Sequence, residues 1–192
     1  ALPRHDALPI SVTLGREATF SPDGRTVFSE LAEGEVTVFD ASSGQSLRRL
    51  PGRDRPTFSE NGQYFTLAKP RGSADEGRVG EEGVLVFETS SLMLRGSLAG
   101  EDPVFIGSRL VVTRRGSGEE VDDVAVMYSL PRLNPLWERA NVAIYDERYS
   151  GTETRAPARW RVGSSKAGYS IIDLDSGVPV ASWESSGWGC GS

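Results

Sequence analysis

The most informative segment of the sequence is Phe20-Ser21-Pro22-Asp23-Gly24-Arg25-Thr26-Val27-Phe28. It reads as a short apolar strand, a tight turn and a second strand, because Asp-Gly supplies the positive φ that a hairpin turn requires. The same arrangement returns at Phe58-Ser59-Glu60-Asn61-Gly62-Gln63, with Asn-Gly in the turn. A hairpin that recurs along the chain predicts a fold built from a repeated β unit.

A further strand follows each hairpin and appears four times, at 35–40, 83–88, 124–128 and 169–173. These strands are apolar on both faces, as Val36, Val38 and Phe39 illustrate. A strand with one solvated face would alternate apolar and polar residues, so both faces of each sheet must be covered. Sheets that stack against one another as the blades of a propeller have both faces covered. No segment has a sustained helical period with caps, so we expect little helix.

The segments FSPDGRTVFS, EVTVFDASSGQSLRRL and YSIIDLDSGVPVASW resemble bacterial WD40-like β-propeller repeats. The resemblance covers roughly residues 16–185 and implies an all-β fold of antiparallel four-stranded blades. Blades are expected at about 16–52, 53–100, 101–139 and 140–185. Propellers have 4 to 8 blades, and the WD40-like kind that the chain resembles usually has seven, so we expect about four blades forming an incomplete arc of a larger ring. The Gly-His and Trp-Asp dipeptides of eukaryotic repeats are absent, so the resemblance is to a looser bacterial type.

The two ends lack the repeat. Residues 1–15 are expected to be irregular, and residues 5–10 resemble the translation of a sequencing-library adapter, which would fit a metagenomic origin. Residues 186–192 have no strand pattern and are expected to form a disordered tail.

Composition narrows the functional classes. Charged residues are 25% and hydrophobic residues 38% of the chain, a globular balance, and the net charge is −6. No basic run exceeds Arg48-Arg49 or Arg114-Arg115, so no nucleic-acid partner is expected. No stretch approaches the roughly 20 apolar residues of a membrane span.

The single cysteine, Cys190, cannot form an internal disulfide, and a cytoplasmic location is slightly favoured over a periplasmic one.

No catalytic constellation is visible. Nucleophilic catalysis with a histidine base would depend on His5, the only histidine, and zinc ligands would need clustered His and Cys. Gly116-Ser117-Gly118 is predicted to be a loop and not a nucleotide fingerprint. We therefore predict a non-enzyme with no catalytic, metal or cofactor-binding residue and no cofactor, and the sequence assigns no binding residue.

Two groups of carboxylates are candidate sites. Glu119, Glu120, Asp122 and Asp123 lie in the 114–123 loop, which lacks the ligand spacing of a calcium loop, so a solvated loop is favoured there and in the 70–82 loop. Asp173 and Asp175 form a carboxylate pair, but Asp173 occupies the place of Asp40 before Ser-Gly. Asp at that place is expected to hydrogen-bond its own backbone and open a turn.

Aromatic and basic residues offer weaker candidates. Trp160 and Trp183 fall in predicted strands, which favours packing between blades over a ligand platform. Trp137 ends the third unit, and Trp188 lies in the tail. Five arginines surround the connection between the third and fourth units and were considered as the footprint of an acidic partner: Arg132, Arg139, Arg148, Arg155 and Arg159.

Three functions remain open. The first is a non-catalytic protein-interaction scaffold whose partner is a protein or peptide, with missing blades of its own ring as a further expected partner. The second is the propeller portion of a larger enzyme, a prolyl-oligopeptidase-like peptidase or a redox dehydrogenase, whose catalytic residues lie outside this chain. The third is a periplasmic propeller similar to that of the Tol system.

Overall fold

The computed structural model describes residues 15, 18–70, 83–114, 123–144, 155–162 and 166–184. Within these ranges all regular structure is β, arranged as four antiparallel sheets of four strands each. The predicted all-β fold of four-stranded antiparallel blades is therefore confirmed. Within the same ranges no helix has the length and apolarity that a membrane crossing requires.

Each blade takes its strands in chain order. Blade 1 contains β1 (Ala18–Phe20), β2 (Thr26–Ala32), β3 (Glu35–Asp40) and β4 (Ser46–Pro51). Blade 2 contains β5 (Arg53–Phe58), β6 (Tyr64–Ala68), β7 (Gly83–Glu88) and β8 (Met93–Ala99). Blade 3 contains β9 (Glu101–Ile106), β10 (Arg109–Arg114), β11 (Val124–Ser129) and β12 (Asn134–Ala140). Blade 4 contains β13 (Val142–Ala143), β14 (Arg155–Val162), β15 (Lys166–Asp173) and β16 (Pro179–Glu184).

The hairpin that decides the fold is held by its own side chains. Gly24 has φ 70°, and the Ser21 hydroxyl donates to Asp23 Oδ1 (2.6 Å) while accepting from the Thr26 amide (3.0 Å). In blade 2, Ser59 bonds Asn61 Oδ1 (3.0 Å) and accepts from the Tyr64 amide (3.0 Å). The repeated Ser-x-Asp/Asn-Gly sequence thus encodes the same turn twice.

The core lies between the blades. Three clusters of buried apolar side chains each join one pair of consecutive blades. The first interface contains Phe28, Val36, Val38, Leu50, Phe65, Leu67, Leu85 and Phe87. The second contains Val84, Val86, Leu98, Leu110 and Val112. The third contains Val104, Ile106, Val111, Ala125, Met127, Trp137, Val142, Ile144, Ala156, Ala158, Ile172 and Leu174. Blades 2 and 3 thus bury apolar residues on both faces, which is why their strands do not alternate.

The first strands converge and the fourth strands face solvent. β5 contacts both β1 and β9, whereas β4, β8, β12 and β16 are mostly exposed. The outward face of blade 4 is also open, with Tyr169 52% and Trp183 55% exposed as cross-strand neighbours. Trp183 therefore does not pack against blade 3, because its strand position directs it to the opposite face; its packing against a further blade stays a prediction. The side chain of Trp160 lies outside the described residues.

Candidate functional site

The predicted turn role of Asp40 and Asp173 is confirmed. Asp40 Oδ1 accepts from the amides of Ser42 (3.1 Å) and Ser43 (2.7 Å). Asp173 Oδ1 accepts from the Asp175 amide (3.2 Å) and the Ser176 amide (2.9 Å). The hydroxyls of Ser42 and Ser43 stabilise the charged form and lower the pKa of Asp40 to about 2. These carboxylates belong to turns and not to a paired catalytic site.

The arginines between the third and fourth units do not form one footprint. Arg139 donates from Nε to the Gly177 carbonyl (3.0 Å) and from Nη2 to the Ser176 carbonyl (3.2 Å), so it connects blade 3 to a turn of blade 4. Arg132 and Arg155 are exposed. Arg148 and the side chain of Arg159 lie outside the described residues.

Trp137 is a packing residue at the third interface. Its indole Nε1 donates to the Leu174 carbonyl (2.9 Å), and its ring lies against Gly177, where a Cβ would approach within 2.6 Å of Cδ2. Arg109 adds an ion pair from blade 3 to Asp175 of the same turn. Asp175 therefore also has a structural partner. Asp173 and Asp175 thus do not form a carboxylate pair that is available to a ligand.

The other sequence candidates fall largely outside the described residues. This applies to His5, Cys190, Trp188, Glu119, Glu120, Asp122 and Gly116-Ser117-Gly118, and to the 70–82 loop beyond Pro70. Asp123 is described, and its backbone carbonyl accepts from the Val142 amide (3.3 Å). Across the described part of the chain, no group of three or more His, Cys, Asp or Glu side chains is placed to hold a metal ion.

A groove that the sequence did not reveal lies where the first strands of blades 2 and 3 begin. Its volume is about 280 Å³. Residues of both blades line it: Arg53, Asp54, Arg55, Thr57, Thr66, Ala68, Gly83, Val84, Gly100, Glu101, Asp102 and Pro103. The available signal was the repeated Gly-x-Asp, at Gly52-Arg53-Asp54 and Gly100-Glu101-Asp102, each at the start of a first strand.

The two Gly-x-Asp turns have the same unusual backbone. Gly52 and Gly100 have φ of 143° and 124°, and Asp54 and Asp102 have φ of 67° and 50°. A Cβ on Gly100 would lie 2.5 Å from the Thr113 carbonyl oxygen, and one on Gly52 would lie 2.8 Å from Leu67 Cβ. Glycine is therefore required by both conformation and space at each turn. Asp tolerates the left-handed region better than most residues.

The mouth of the groove carries both signs of charge. We call Arg53, Asp54, Arg55, Glu101 and Asp102 the charged rim. Arg53 Nη1 pairs with Asp54 Oδ2 at 2.7 Å, and Arg53 Nε donates to the Lys69 carbonyl at 3.2 Å. These bonds fix one guanidinium and one carboxylate side by side, so the rim is a preorganised polar surface.

Thr66, which lines the groove, has a hydroxyl group that is buried and without a partner. Thr66 is 1% exposed, and its Oγ1 has no hydrogen-bond partner among the described residues. Ala68 and Val84 lie beside it along the same face of blade 2. Buried polar groups are nearly always hydrogen-bonded, so the unpartnered Thr66 hydroxyl is a cost to the stability of the folded state.

Strand register shows why the groove exists. Thr66 pairs with Val86 as Phe28 pairs with Val38, so Thr66 occupies in blade 2 the position that Phe28 occupies in blade 1. By the same register Ala68 is the counterpart of Glu30. The large side chains of Phe28 and Glu30 at the first interface are thus replaced at the second. Their counterparts there are the small side chains of Thr66 and Ala68.

Glu30 shows what fills the corresponding space at the first interface. Its Oε2 accepts from the Asp54 amide (3.3 Å), and its Oε1 accepts from the Gly34 amide (3.3 Å). The carboxylate therefore reaches across to the Gly-x-Asp turn of blade 2. Ala68 has no side chain long enough to make the corresponding bridge to blade 3, which leaves the second interface open at its rim.

No protein-family model matches the chain, and no curated protein matches it. Several solved structures are similar to the chain. A eukaryotic initiation factor is 16% identical with a TM-score of 0.62, over 88% of this chain and 44% of that one. The acylaminoacyl peptidase of Pyrococcus horikoshii is 11% identical with a TM-score of 0.56, over 82% and 30%. The β-propeller domain of the trilobed protease of Pyrococcus furiosus is 12% identical with a TM-score of 0.55, over 85% and 57%.

These likenesses concern the fold. The chain spans between 30% and 57% of the lengths of these three structures. Its four antiparallel four-stranded sheets, stacked through three apolar interfaces, have the arrangement of consecutive propeller blades. The chain is therefore an arc of a β-propeller, with a solvent-facing groove between its second and third blades.

Proposed function

We propose that this propeller arc is a non-catalytic scaffold of the bacterial WD40-like kind that binds a protein or peptide at the charged rim. The observation that carries the proposal is the repetition of one Gly-x-Asp turn in neighbouring blades, which sets charged side chains around a single groove. Groups held in place by backbone geometry lose little conformational entropy on binding, which favours recognition.

The groove also has the character of a peptide site. Its lining combines small and apolar side chains, such as Ala68 and Val84, with the polar side chain of Thr57, and its mouth carries both positive and negative groups. Binding sites combine these features, because apolar contact supplies affinity while a few placed polar groups supply orientation. A peptide offers both, with side chains for the floor and a polar backbone for the rim.

A peptide-array measurement tests the proposal. The purified chain is applied to an immobilised library of random peptides, and the variant Asp102→Asn is applied in parallel. Asparagine keeps the left-handed backbone while removing the charge, so folding is preserved. Glu60→Gln is the matched control, because Glu60 lies in the exposed β5–β6 turn at the other end of the first strand. We expect captured peptides to lose signal with Asp102→Asn and to keep it with Glu60→Gln. Absence of captured peptides, or equal loss in both variants, would contradict the proposal.

A second candidate function is that of a propeller within a larger enzyme. Two of the similar structures are a peptidase and the propeller domain of a protease, which favours this alternative at the level of fold. The test is the coding sequence that adjoins this segment. A neighbouring Gly-x-Ser-x-Gly segment followed by Asp and His would support a peptidase, and further blades alone would support the scaffold.

A further inference from the structure

We infer that the groove between blades 2 and 3 takes one arginine side chain of the bound peptide, with its guanidinium group against the Gly-x-Asp turn of blade 3. The inference rests on the proposed function, because it names the side chain by which the partner is recognised. Three observations carry it: the space beside Ala68, the reversed charge of the two Gly-x-Asp turns, and the carboxylate of Asp102.

The groove occupies the place that a charged side chain fills at the first interface. Ala68 is the counterpart of Glu30 by strand register. Glu30 reaches the turn of blade 2, where its Oε2 accepts from the Asp54 amide at 3.3 Å. Ala68 ends at its Cβ and leaves a groove of about 280 Å³ in front of the turn of blade 3. Since a cavity of about 150 Å³ holds a benzene molecule, this groove has room for a guanidinium group and its alkyl stem.

The two Gly-x-Asp turns carry opposite charge. After its glycine, the turn of blade 2 reads Arg53-Asp54-Arg55, whereas the turn of blade 3 reads Glu101-Asp102-Pro103 and has no basic residue. At the first interface the chain itself supplies the group that meets the basic turn, and that group is an anion, the Glu30 carboxylate. Because complementary charges meet at specific interfaces, the group that fits in front of the acidic turn is a cation.

Asp102 has a carboxylate that no described residue pairs with. Its counterpart in blade 2, Asp54, accepts from Arg53 Nη1 at 2.7 Å, and Arg53 Nε donates to the Lys69 carbonyl at 3.2 Å. In blade 3 the place of Arg53 is taken by Glu101, so the turn does not supply its own guanidinium. Asp102 is exposed and lines the groove, where a cation from a partner can reach it.

The lining as a whole has an excess of negative charge. Arg53 and Arg55 lie on the blade 2 side of the groove, but Arg53 is paired with Asp54. Three carboxylates and two guanidinium groups line the groove in total. A further carboxylate would therefore add to an existing excess, whereas one added cation would balance it.

Arginine suits the groove better than lysine. Its planar fork bonds a carboxylate and a second acceptor at once, as Arg53 does in the same groove, and its guanidinium is more weakly hydrated than an ammonium. The groove also offers the apolar side chains of Ala68, Val84 and Pro103, along which the alkyl stem of an arginine can lie while its head stays at the charged rim.

The first experiment uses acetylated and amidated Gly-Gly-Arg-Gly-Gly as the probe. Three further peptides replace the arginine by lysine, by the neutral isostere citrulline or by glutamate. Binding to the purified chain is titrated by amide NMR, and the dispersion of each spectrum shows that the variant is folded. The variants are Asp102→Asn, which removes one charge, Ala68→Arg, which supplies the guanidinium from the chain itself, and the control Glu60→Gln.

We expect the arginine peptide to bind the unmodified chain and Glu60→Gln alike and to shift the amides of Gly100 and Asp102. Its affinity should fall about three- to tenfold in Asp102→Asn, which corresponds to one lost charge-assisted hydrogen bond at an exposed site. Binding should be lost in Ala68→Arg, and the other three peptides should bind the unmodified chain more weakly. Absence of binding, arginine binding that survives Ala68→Arg, or a lysine or citrulline peptide that binds as tightly, would overturn the inference.

A second experiment separates this inference from the proposed function. The peptides captured on the array are sorted by composition, and the array is repeated with Ala68→Arg. If captured peptides depend on Asp102 but are not enriched in arginine, the inference fails and the scaffold function stands. If the arginine peptide binds through Asp102 while the array captures no peptide, the proposed function fails and the arginine site stands.

Discussion

The first and second interfaces are built on the same backbone positions and have different contents. At the first, four phenylalanine rings pack together; Phe65 stacks on Phe87 at 5.1 Å, and Phe28 meets Phe65 edge to face. At the second, the counterparts of Phe28 and Phe65 are Thr66 and Leu110, and the fully buried core is aliphatic, with Phe105 and Tyr128 packed against it partly buried. Strand register therefore determines which interface a side chain faces. The type of residue at that position then determines whether the space is filled as core or left as a groove.

The first interface is closed at its rim, whereas the second interface is open. Glu30 bridges blade 1 to the Asp54 amide, whereas Ala68 leaves the equivalent turn of blade 3 without such a bridge. Two substitutions relative to blade 1 thus produce both the opening and the unpartnered hydroxyl. A repeat protein can acquire a site this way without changing its framework.

The largest effect is expected for Phe28→Thr, which gives the first interface the residue of the second. Removing a buried phenylalanine ring costs about 3–5 kcal/mol, so we expect the free energy of unfolding in urea to fall by at least about 3 kcal/mol. Phe20→Thr is the matched control, because Phe20 is 61% exposed and its loss should cost less than about 1 kcal/mol. Equal losses in the two variants would show that the aromatic cluster does not stabilise the arc.

Both interfaces contain a Gly-x-Asp turn, and the variants Gly52→Ala and Gly100→Ala test its role. Each forces an alanine into a glycine-only conformation that costs about 1–3 kcal/mol, with a steric contact in addition. Gly24→Ala controls for the backbone alone, because a Cβ there would meet open space at φ 70°, and it should cost about 1–2 kcal/mol. Urea unfolding of the three variants should rank Gly24→Ala as the mildest. A Gly100→Ala variant as stable as Gly24→Ala would contradict the described close packing of the turn.

The sequence predicted the blades better than the site, for a physical reason. Turn signals such as Ser21-Pro22-Asp23-Gly24 and doubly apolar strands such as 35–40 are local, so the hairpins and the stacking of sheets could be derived from them. The groove depends on Thr66 and Asp102, which are far apart in sequence and meet only through blade packing. Thr66 could have been singled out by aligning the repeats, because it stands where the first unit has Phe28. The exposure of Trp183 was likewise missed, because its strand position gives a face but not what covers that face.

A smaller effect of opposite sign is expected for Thr66→Val. Removing an unpartnered buried hydroxyl relieves a desolvation cost, so the free energy of unfolding should rise by about 1 kcal/mol. Ser59→Ala is the contrasting variant, because the Ser59 hydroxyl is equally buried but bonded to the Tyr64 amide and carbonyl (3.0 Å each), and its removal should cost about 1 kcal/mol. If Thr66→Val destabilises the protein to the same degree, the hydroxyl has a structural partner.

The smallest effect concerns acid, which should act on the turns and leave the apolar interfaces unchanged. The hydroxyls of Ser42 and Ser43 lower the pKa of Asp40 to about 2, and the hydroxyl of Ser176 lowers the pKa of Asp173 from its ordinary value of 3.8. A carboxylate whose pKa is lower in the folded state stabilises that state above its unfolded pKa, near 3.9, and the contribution is lost as pH falls toward the folded value. Carboxyl titration followed by NMR should therefore give Asp40 a midpoint near 2. In Ser42→Ala/Ser43→Ala the midpoint should move up toward 3.8, because the two hydroxyl donors are gone while the backbone amides remain. A midpoint near 3.8 in the unmodified chain would mean that the turn, and with it the register that places Phe28 and Thr66 at equivalent positions, is not held by this carboxylate.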